Sequence, residues 1–276
     1  MEEAGTTPER EATFVIISAE PGAVASIIAD LGQISRYTLL PGDSRNIVDI
    51  YFDTYTRELT ANHWALRVRC AELATLLTLK GPSLPTDWGG LERPEIEAAW
   101  SKEAVERVVA ELARAGIAAL QAAAFCKDDP VKILGSYGLE VIQRRELWRR
   151  TRRVLSESSG TTVAELAIDR VRYDGAFGEI LHWEVELEAL GDSESTAMPE
   201  IIGALLHEFG SALRPWPHSK LATGFVIEEG LKTDVLQQFM CSDNRLTPAG
   251  YDRLDEHLRK LGCPSAGEHE SDHAAR

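Results

Sequence analysis

Polar and apolar residues alternate at every second position through much of this chain, which is the spacing of β-strands with one buried face. The segments that show it are rich in β-branched and aromatic residues, and Gly, Pro, Asp and Ser separate them. The first predicted strand is "EREATFVI", which starts at Glu9. The other predicted strands cover 46–54, 63–70, 74–81, 93–100, 162–175 and 180–190.

Four further segments have apolar residues at the three- and four-residue spacing of helices. They cover 21–32, 101–116, 199–210 and 247–262. Pro21 and Pro199 suit the first turn of a helix, and Ser101 suits an N-cap. Many antiparallel strands with a few helices predict an α+β domain.

The bulk properties of the chain exclude some classes of protein. It has 276 residues, 44% of them hydrophobic, a formal net charge of −15 and a pI near 5.0. An acidic chain is a poor partner for nucleic acid. We find no apolar run near the roughly 20 residues that span a membrane, and no secretory signal at the start. The cysteines Cys70, Cys126, Cys241 and Cys263 lack CxxC spacing, so we expect free thiols and a cytoplasmic protein.

Charges of one sign share one face of several predicted strands. Arg67 and Arg69 alternate with apolar residues in "ALRVRC", and Glu184, Glu186 and Glu188 do so in "HWEVELEAL". A sheet whose polar face is simply hydrated would mix the two signs. Carboxylate pairs suit a hard divalent cation, and arginine pairs suit phosphate. Both sets in one concave space would suit a metal-chelated polyphosphate.

The order and spacing of these motifs resemble the CYTH superfamily, the triphosphate tunnel metalloenzymes, over roughly residues 9–226. No single motif is specific, and the resemblance rests on their number and order. Its members include thiamine triphosphatases, inorganic triphosphatases and class IV adenylate cyclases. The matching stretches are "EREAT", "YFDT", "LRVR", "LTLKGP", "RPEIE", "RRTRRVL", "ELAIDR", "WEVELEAL" and "HSK".

The resemblance implies an α+β fold, an antiparallel eight-stranded β-barrel with peripheral helices and a charged tunnel. The implied tunnel domain covers 9–230, followed by a C-terminal helical extension at 231–262 and a disordered tail at 263–276. Helix 247–262 would dock on its own domain, cap a tunnel mouth or mediate dimerisation. A monomer and a homodimer both remain open.

The resemblance also assigns roles to residues of the tunnel. Metal binding falls to Glu9, Glu11, Glu95, Glu97, Asp169, Glu184, Glu186 and Glu188, with the pairs 184/186 and 186/188 both open. Substrate binding falls to Arg67, Arg69, Lys80, Arg93, Arg150, Arg152 and Lys220. The catalytic residues would be Glu9, Glu11, Lys80 and Arg152. Arg150 and Arg152 are preferred within the cluster 149–153 because they share a strand face.

The implied activity is hydrolysis of the terminal phosphate of inorganic triphosphate, thiamine triphosphate or a nucleoside triphosphate, with Mg²⁺ or Mn²⁺ as cofactor. A class IV-type adenylate cyclase and a non-catalytic polyphosphate or nucleotide binder are the alternatives. The family's E-x-E-x-K lysine is Thr13 in this chain, and Thr13 carries no charge. That difference weakens the case for strong inorganic triphosphatase activity.

Two other kinds of site are not supported. The seven histidines have no H-x-x-x-H or paired-cysteine spacing, which argues against zinc. The run "RRELWRRTRRVL" is basic enough for a nucleic-acid patch, but its alternation and the acidic chain favour a tunnel strand. We therefore expect a triphosphate-containing small molecule as ligand, and neither nucleic acid nor a membrane as partner.

Overall fold

A computed structural model describes residues 7–117, 129–191 and 194–261, and its strands form one antiparallel sheet. Cys126, Cys263, His269, His273 and the predicted tail 263–276 lie outside the described residues. Cys70 and Cys241 are free thiols, as predicted.

The described strands number eleven. In chain order they are β1 (Thr7–Ile16), β2 (Gln33–Ile34), β3 (Tyr37–Thr54), β4 (Ala65–Ala71), β5 (Ala74–Lys80), β6 (Leu84–Pro85), β7 (Leu91–Ala99), β8 (Leu139–Ser156), β9 (Thr162–Gly175), β10 (Gly178–Ala189) and β11 (Leu213–Pro215).

The described part of the chain has seven α-helices and one 3₁₀ turn at Gln237–Phe239. The helices are α1 (Pro21–Asp30), α2 (Glu58–Ala61), α3 (Lys102–Arg114), α4 (Pro130–Ser136), α5 (Glu194–Phe209), α6 (Lys220–Lys232) and α7 (Pro248–Lys260). None of these helices has the length and the apolar character needed to cross a membrane.

Eight strands close into a ring in the order β1, β10, β9, β8, β3, β4, β5 and β7. The ring closes because β1 pairs with β10 along one edge and with β7 along the other, where Glu9 lies opposite Arg93. The short strands β2, β6 and β11 pair with β3, β7 and β1. The predicted fold class, α+β with an eight-stranded antiparallel closed sheet, is confirmed.

Two hydrophobic cores lie on the outer face of the ring. One holds Phe14 and Val185 from the strands together with residues of α1 and α5. The other packs α3 and α4 against strands β3, β4, β5 and β7, with Leu79 and Val108 fully or almost fully buried. Helices therefore cover the apolar outer face, which leaves the alternate residues of each strand for the inside.

A third core covers part of the inner face. Val15, Val171 and Ile180 lie on the same face of their strands as the charged inner residues, and they pack against α6 and α7. Leu254 and Leu258 of α7 are buried in this core. Helix α7 therefore docks on the rest of its own chain, one of the three arrangements that the sequence left open.

Four helices differ from the sequence prediction. Helix α5 begins at Glu194, so Pro199 lies inside it and not in its first turn. A proline inside a helix removes one internal hydrogen bond, and burial of Met198, Ile201 and Leu205 offsets that loss. Helices α2, α4 and α6 were not predicted.

Candidate active site

A charged cavity of about 170 Å³ lies inside the ring. Its walls carry eight basic and eight acidic side chains. The basic residues are Arg45, Arg67, Arg69, Lys80, Arg93, Arg145, Arg149 and Lys220, and the acidic ones are Glu9, Glu11, Glu95, Glu97, Glu165, Glu184, Glu186 and Glu188. The volume would hold on the order of ten water molecules, which is room for a short polyphosphate with its cations.

Three carboxylates from adjacent strands β9 and β10 form what we call the carboxylate cluster: Asp169, Glu184 and Glu186. One oxygen atom from each lies within 4.8 Å of the others. Arg149 donates from Nε to Asp169 Oδ1 at 2.8 Å and also bonds Glu186. Lys220 Nζ lies 3.3 Å from Asp169 Oδ2 and 2.5 Å from Glu184 Oε2, and it also bonds Glu186.

These contacts keep Glu184 and Glu186 ionised. Burial alone would raise the pKa of Glu184, but Lys220 and His182 outweigh burial and lower the pKa to about 2. Burial would also raise the pKa of Glu186, and Lys220 and Arg149 instead hold it well below its usual range. In the other direction, burial would lower the pKa of Lys220, yet Glu184 and Glu186 raise it. The cluster therefore offers charged oxygens at neutral pH.

A second group of charges joins β1, β5 and β7. Lys80 Nζ lies 2.5 Å from Glu9 Oε1 and 3.4 Å from Glu95 Oε1. Arg93 donates to Glu9 Oε2 at 2.7 Å and to Glu11 Oε1 at 2.5 Å. Burial would raise the pKa of Glu9, but Lys80 and Arg93 lower it strongly. These two basic residues thus offset most of the negative charge of the first strand.

Arginines surround one fully buried aspartate, Asp49. Arg69 donates two hydrogen bonds to its carboxylate, at 2.8 and 3.0 Å, and Arg145 donates a third at 3.0 Å. Arg67 Nη1 lies 3.5 Å from the same carboxylate. The Arg145 guanidinium also stacks on the Tyr51 ring at 4.5 Å. Among the described residues, Arg145 Nε and Nη1 have no hydrogen-bond partner, so this group keeps N–H donors for a ligand.

The N-terminus of α6 forms another part of the cavity wall. Ser219 caps the helix by accepting a hydrogen bond from the Ala222 N–H at 3.1 Å. Lys220 follows at the first helical position, and His218, Ser219 and Leu221 line the cavity with it. Helix N-termini favour anions, so this end adds positive potential to that of Lys220.

The structure brings most of the predicted site residues together. Those that line the cavity are Glu9, Glu11, Arg67, Arg69, Lys80, Arg93, Glu95, Glu97, Glu184, Glu186, Glu188 and Lys220. Asp169 is fully buried behind the wall and is bonded to Arg149. Glu184, Glu186 and Glu188 all lie on the inner side, and Glu184 with Glu186 forms the pair that meets Asp169. Thr13 also lines the cavity, where it brings no charge. The roles of all these residues stay predictions.

Arg150 and Arg152 are wrongly placed by the sequence analysis. Arg150 donates to Asp30 at 2.6 Å, and Arg152 donates to the carbonyl oxygens of Leu31 and Leu39, so both contact the outer segment around α1. The inward residue of this cluster is Arg149, which lies opposite Asp169 in the sheet. Alternation along β8 showed that residues 150 and 152 share a face, but it could not show that this face points outward.

Sequence reasoning also missed several residues of the site. Asp49 and Arg145 are both buried in the arginine group, and His182 bonds Glu184 at 2.6 Å. Asp49 lies two residues before Tyr51, and His182 two before Glu184, so the same alternation carried a signal for these two. Nothing in the spacing singles out Arg145 or His218.

The donor sets suit a divalent cation. Asp169, Glu184 and Glu186 provide carboxylate oxygens from two neighbouring strands, which are the ligands that Mg²⁺ and Mn²⁺ prefer. Glu188 lies near Glu9 and Glu11, and burial together with the charge of Glu9 raises its pKa to about 8. A cation next to this carboxyl group would favour its ionised form, because the opposite charge offsets the cost of burial.

Comparisons with known proteins agree with this architecture. The family model of the CYTH domain matches residues 25–209. HpAC1 from Hippeastrum, a candidate adenylyl cyclase described as having a dominant triphosphatase activity, is 18% identical, with a TM-score of 0.51 over 78% of this chain and 94% of that chain. This likeness shows a shared fold.

Two further solved structures are more distant in shape. A candidate adenylate cyclase from Bacillus halodurans is 24% identical with a TM-score of 0.45, over 78% of this chain and 96% of that chain. The capping-enzyme triphosphatase of Mimivirus is 11% identical with a TM-score of 0.32, over 74% of this chain and 88% of that chain. No curated protein matches the chain in sequence.

Proposed function

The chain belongs to the CYTH family, and from this premise we propose that it is a divalent-metal-dependent triphosphatase. Its substrate would be inorganic triphosphate or an organic triphosphate, either thiamine triphosphate or a nucleoside triphosphate, from which it removes the terminal phosphate. The observation that carries the proposal is the cavity inside the ring, in which eight basic and eight acidic side chains face one another. The triphosphatase activity described for HpAC1 supports it.

The charge balance of the cavity argues for a substrate that arrives with cations. The sixteen charged wall residues are formally neutral together, and the buried Asp49 and Asp169 behind them leave the interior slightly negative. A bare triphosphate would add several negative charges to this space. Accompanying divalent cations would offset them and would give the carboxylates a partner.

Substrate binding would exchange one set of ion pairs for another. In this structure the basic residues are paired with carboxylates, as in Lys80 with Glu9 and Arg149 with Asp169. With substrate, Arg67, Arg69, Arg149, Lys80, Arg93 and Lys220 would turn to phosphate oxygens. Arginine suits this because its planar fork matches phosphate oxygens in a bidentate way.

The carboxylate cluster would hold one metal ion, and Glu9, Glu11 and Glu188 would hold a second, with Glu95 and Glu97 close by. When bound, Mg²⁺ or Mn²⁺ would neutralise phosphate oxygens and activate the attacking water. The chain's own contribution is to fix the phosphate chain between opposed basic groups and to stabilise the charge that develops on its oxygens. Helices α6 and α7, which cover part of the inner face, would limit the access of bulk water to the cavity.

The test is release of phosphate from tripolyphosphate, thiamine triphosphate and ATP, with Mg²⁺, with Mn²⁺ and with EDTA. We expect metal-dependent release from at least one of them. Two adjacent conservative variants make a matched pair. Arg149→Lys should lower the rate about 100-fold because it replaces the planar guanidinium inside the cavity with an ammonium group. Arg150→Lys on the outer face should keep the rate within about twofold of wild type.

Equal rates for these two variants would contradict the placement of the site, and no phosphate release from any substrate would contradict hydrolysis. Release of pyrophosphate and a cyclic nucleotide from ATP would indicate the cyclase reaction. Thr13 favours a second function, binding of polyphosphate without turnover, because it lines the cavity at the position of the family's lysine. Saturable binding without any product would support that function.

A further inference from the structure

The C-terminal helix α7 bonds a histidine that in turn bonds the carboxylate cluster, although the helix lies beyond the matched region 25–209. Tyr251 and Asp255 are four residues apart and therefore share one face of this helix. Each of them bonds a buried histidine next to the cavity: Tyr251 bonds His182, and Asp255 bonds His218. Packing of apolar residues alone does not require two such polar contacts.

The contact through Tyr251 leads to the carboxylate cluster in two steps. The Tyr251 hydroxyl lies 3.1 Å from His182 Nδ1, and His182 Nε2 lies 2.6 Å from Glu184 Oε1. A carboxylate can only accept, so Nε2–H donates to Glu184, which leaves Nδ1 facing the Tyr251 hydroxyl as the acceptor of its O–H. Burial raises the pKa of Tyr251, so its hydroxyl keeps that hydrogen. His182 and Glu184 are fully buried, and Tyr251 is nearly so.

This chain of hydrogen bonds fixes the plane of the Glu184 carboxylate, whose two oxygens are otherwise equivalent. With Oε1 bonded to His182, the second oxygen, Oε2, lies 2.5 Å from Lys220 Nζ. A glutamate without such a partner rotates about its terminal bond, since that torsion is broad. The imidazole therefore orients the oxygen that a metal ion would meet.

The neighbouring aromatic side chains hold this arrangement in place. The Trp216 ring packs edge-on against Tyr251 at 5.9 Å and against His218 at 4.9 Å. The His218 imidazole donates from Nε2 to Asp255 Oδ1 at 2.7 Å, and His218 lines the cavity two residues before Lys220. One face of α7 thus contacts two buried histidines next to the cavity, His182 and His218.

We infer that Tyr251 is a positioning residue of the active site, which acts through His182 to orient Glu184 for binding a divalent cation. The inference rests on the proposed function, because it assigns the carboxylate cluster to a metal ion. Hydrogen-bonded partners of metal ligands typically contribute 10- to 100-fold to metal affinity. Helix α7 is then a functional part of the site and not only a cover for the third core.

The experiment measures Mn²⁺ affinity of the full chain directly, by electron paramagnetic resonance titration of free Mn²⁺, without substrate. Tyr251→Phe keeps the ring and removes only the hydroxyl, and we expect it to weaken Mn²⁺ binding about tenfold. In phosphate-release assays, saturating Mn²⁺ should restore most of its activity. The control is Asp252→Asn, next along α7, which breaks the surface ion pair with Arg214 at 2.7 Å and touches neither histidine.

A second variant, His182→Gln, keeps an N–H donor for Glu184 but has no ring nitrogen for Tyr251. It should weaken Mn²⁺ binding as much as Tyr251→Phe, and the double variant should lose no more than either alone. If Tyr251→Phe does not fold, the comparison of His182→Gln with wild type decides. Wild-type Mn²⁺ affinity in folded variants would overturn this inference alone, whereas a wild-type chain that binds no Mn²⁺ would overturn the metal-dependent function as well.

Discussion

Most buried charged residues of the cavity form ion pairs with a side chain of opposite charge. Glu188 differs from them. Among the residues that the structure describes, Glu188 has no ion pair with a basic side chain, whereas Glu9, Glu184 and Glu186 each have at least one. Burial and the nearby charge of Glu9 raise the pKa of Glu188 to about 8. Without a metal ion, the folded protein therefore keeps this carboxyl group protonated near neutral pH.

This protonation predicts a pH dependence of stability in EDTA. The folded pKa of Glu188 lies above the unfolded value of 4.5, so its stabilising effect is present at low pH and is lost as pH rises towards 8. Glu188→Gln does not titrate. Relative to wild type, its free energy of unfolding should therefore increase by about 1–3 kcal/mol between pH 5.5 and 8.5.

Urea unfolding at the two pH values measures this difference, and Glu140→Gln on the exposed face of β8 is the control. A difference between Glu188→Gln and wild type that does not change with pH would show that Glu188 is already ionised in the folded protein.

Helices α3 and α6 illustrate how similar elements serve different purposes. Both are 13 residues long, and both begin with a serine N-cap that accepts one backbone N–H at 3.1 Å. Helix α3 packs on the outer face of the ring through Val105 and Val108. Helix α6 instead places its first residue, Lys220, against the carboxylate cluster. We therefore expect the same local signal to have a functional consequence only in α6.

The two caps make a matched pair of variants. Ser219→Ala and Ser101→Ala should each lower the free energy of unfolding by about 1 kcal/mol, since each loses one cap hydrogen bond. Only Ser219→Ala should also lower kcat/KM, by about 3- to 10-fold, because fraying of α6 displaces Lys220. Chemical denaturation and phosphate release measure the two effects. A parallel loss of activity in Ser101→Ala would mean that stability, and not the position of Lys220, limits turnover.

The molecule as a whole is a closed sheet with two apolar cores on its outer face, a third core on part of its inner face, and a cavity with charged walls. The outer cores hold the ring shut, while opposed ion pairs balance the charges of the cavity walls. Buried ion pairs contribute little net stability, because desolvation offsets their attraction. A ligand that combines phosphate with a divalent cation would pair with both the basic and the acidic side chains. It should therefore stabilise the folded protein more than the phosphate or the cation alone.

Thermal unfolding with a non-hydrolysable imidotriphosphate tests this expectation. The analogue alone should shift Tm little, because the chain is acidic and its interior lacks spare positive charge. With Mn²⁺ present, binding at a hundred times Kd adds about 2.7 kcal/mol, or roughly 5–10 °C in Tm. EDTA should reverse the shift, and Arg149→Lys should reduce it while Arg150→Lys does not. An equal shift without metal would contradict joint binding of metal and phosphate.

Much of this protein could be predicted from local patterns. Alternation along single strands identified the closed sheet's main strands, and it correctly grouped Arg67 with Arg69 and Glu184 with Glu186 and Glu188. These predictions succeeded because successive side chains of a strand point to opposite faces whatever the rest of the chain does. The order of the motifs was enough to predict the family.

Other features depended on contacts between distant parts of the chain. Which face of β8 points inward follows from its pairing with β9 and from the helices outside, and this chose Arg149 over Arg150 and Arg152. Helix α6 contains Gly224 and Gly230, which weaken any helix signal, yet a Cβ atom at either would lie within 2.5 Å of Gln143 or Leu236. A larger residue at either place would force a neighbouring side chain to move, so close packing favours glycine there. The bond between Tyr251 and His182 joins residues 69 positions apart, a separation that only the folded chain closes.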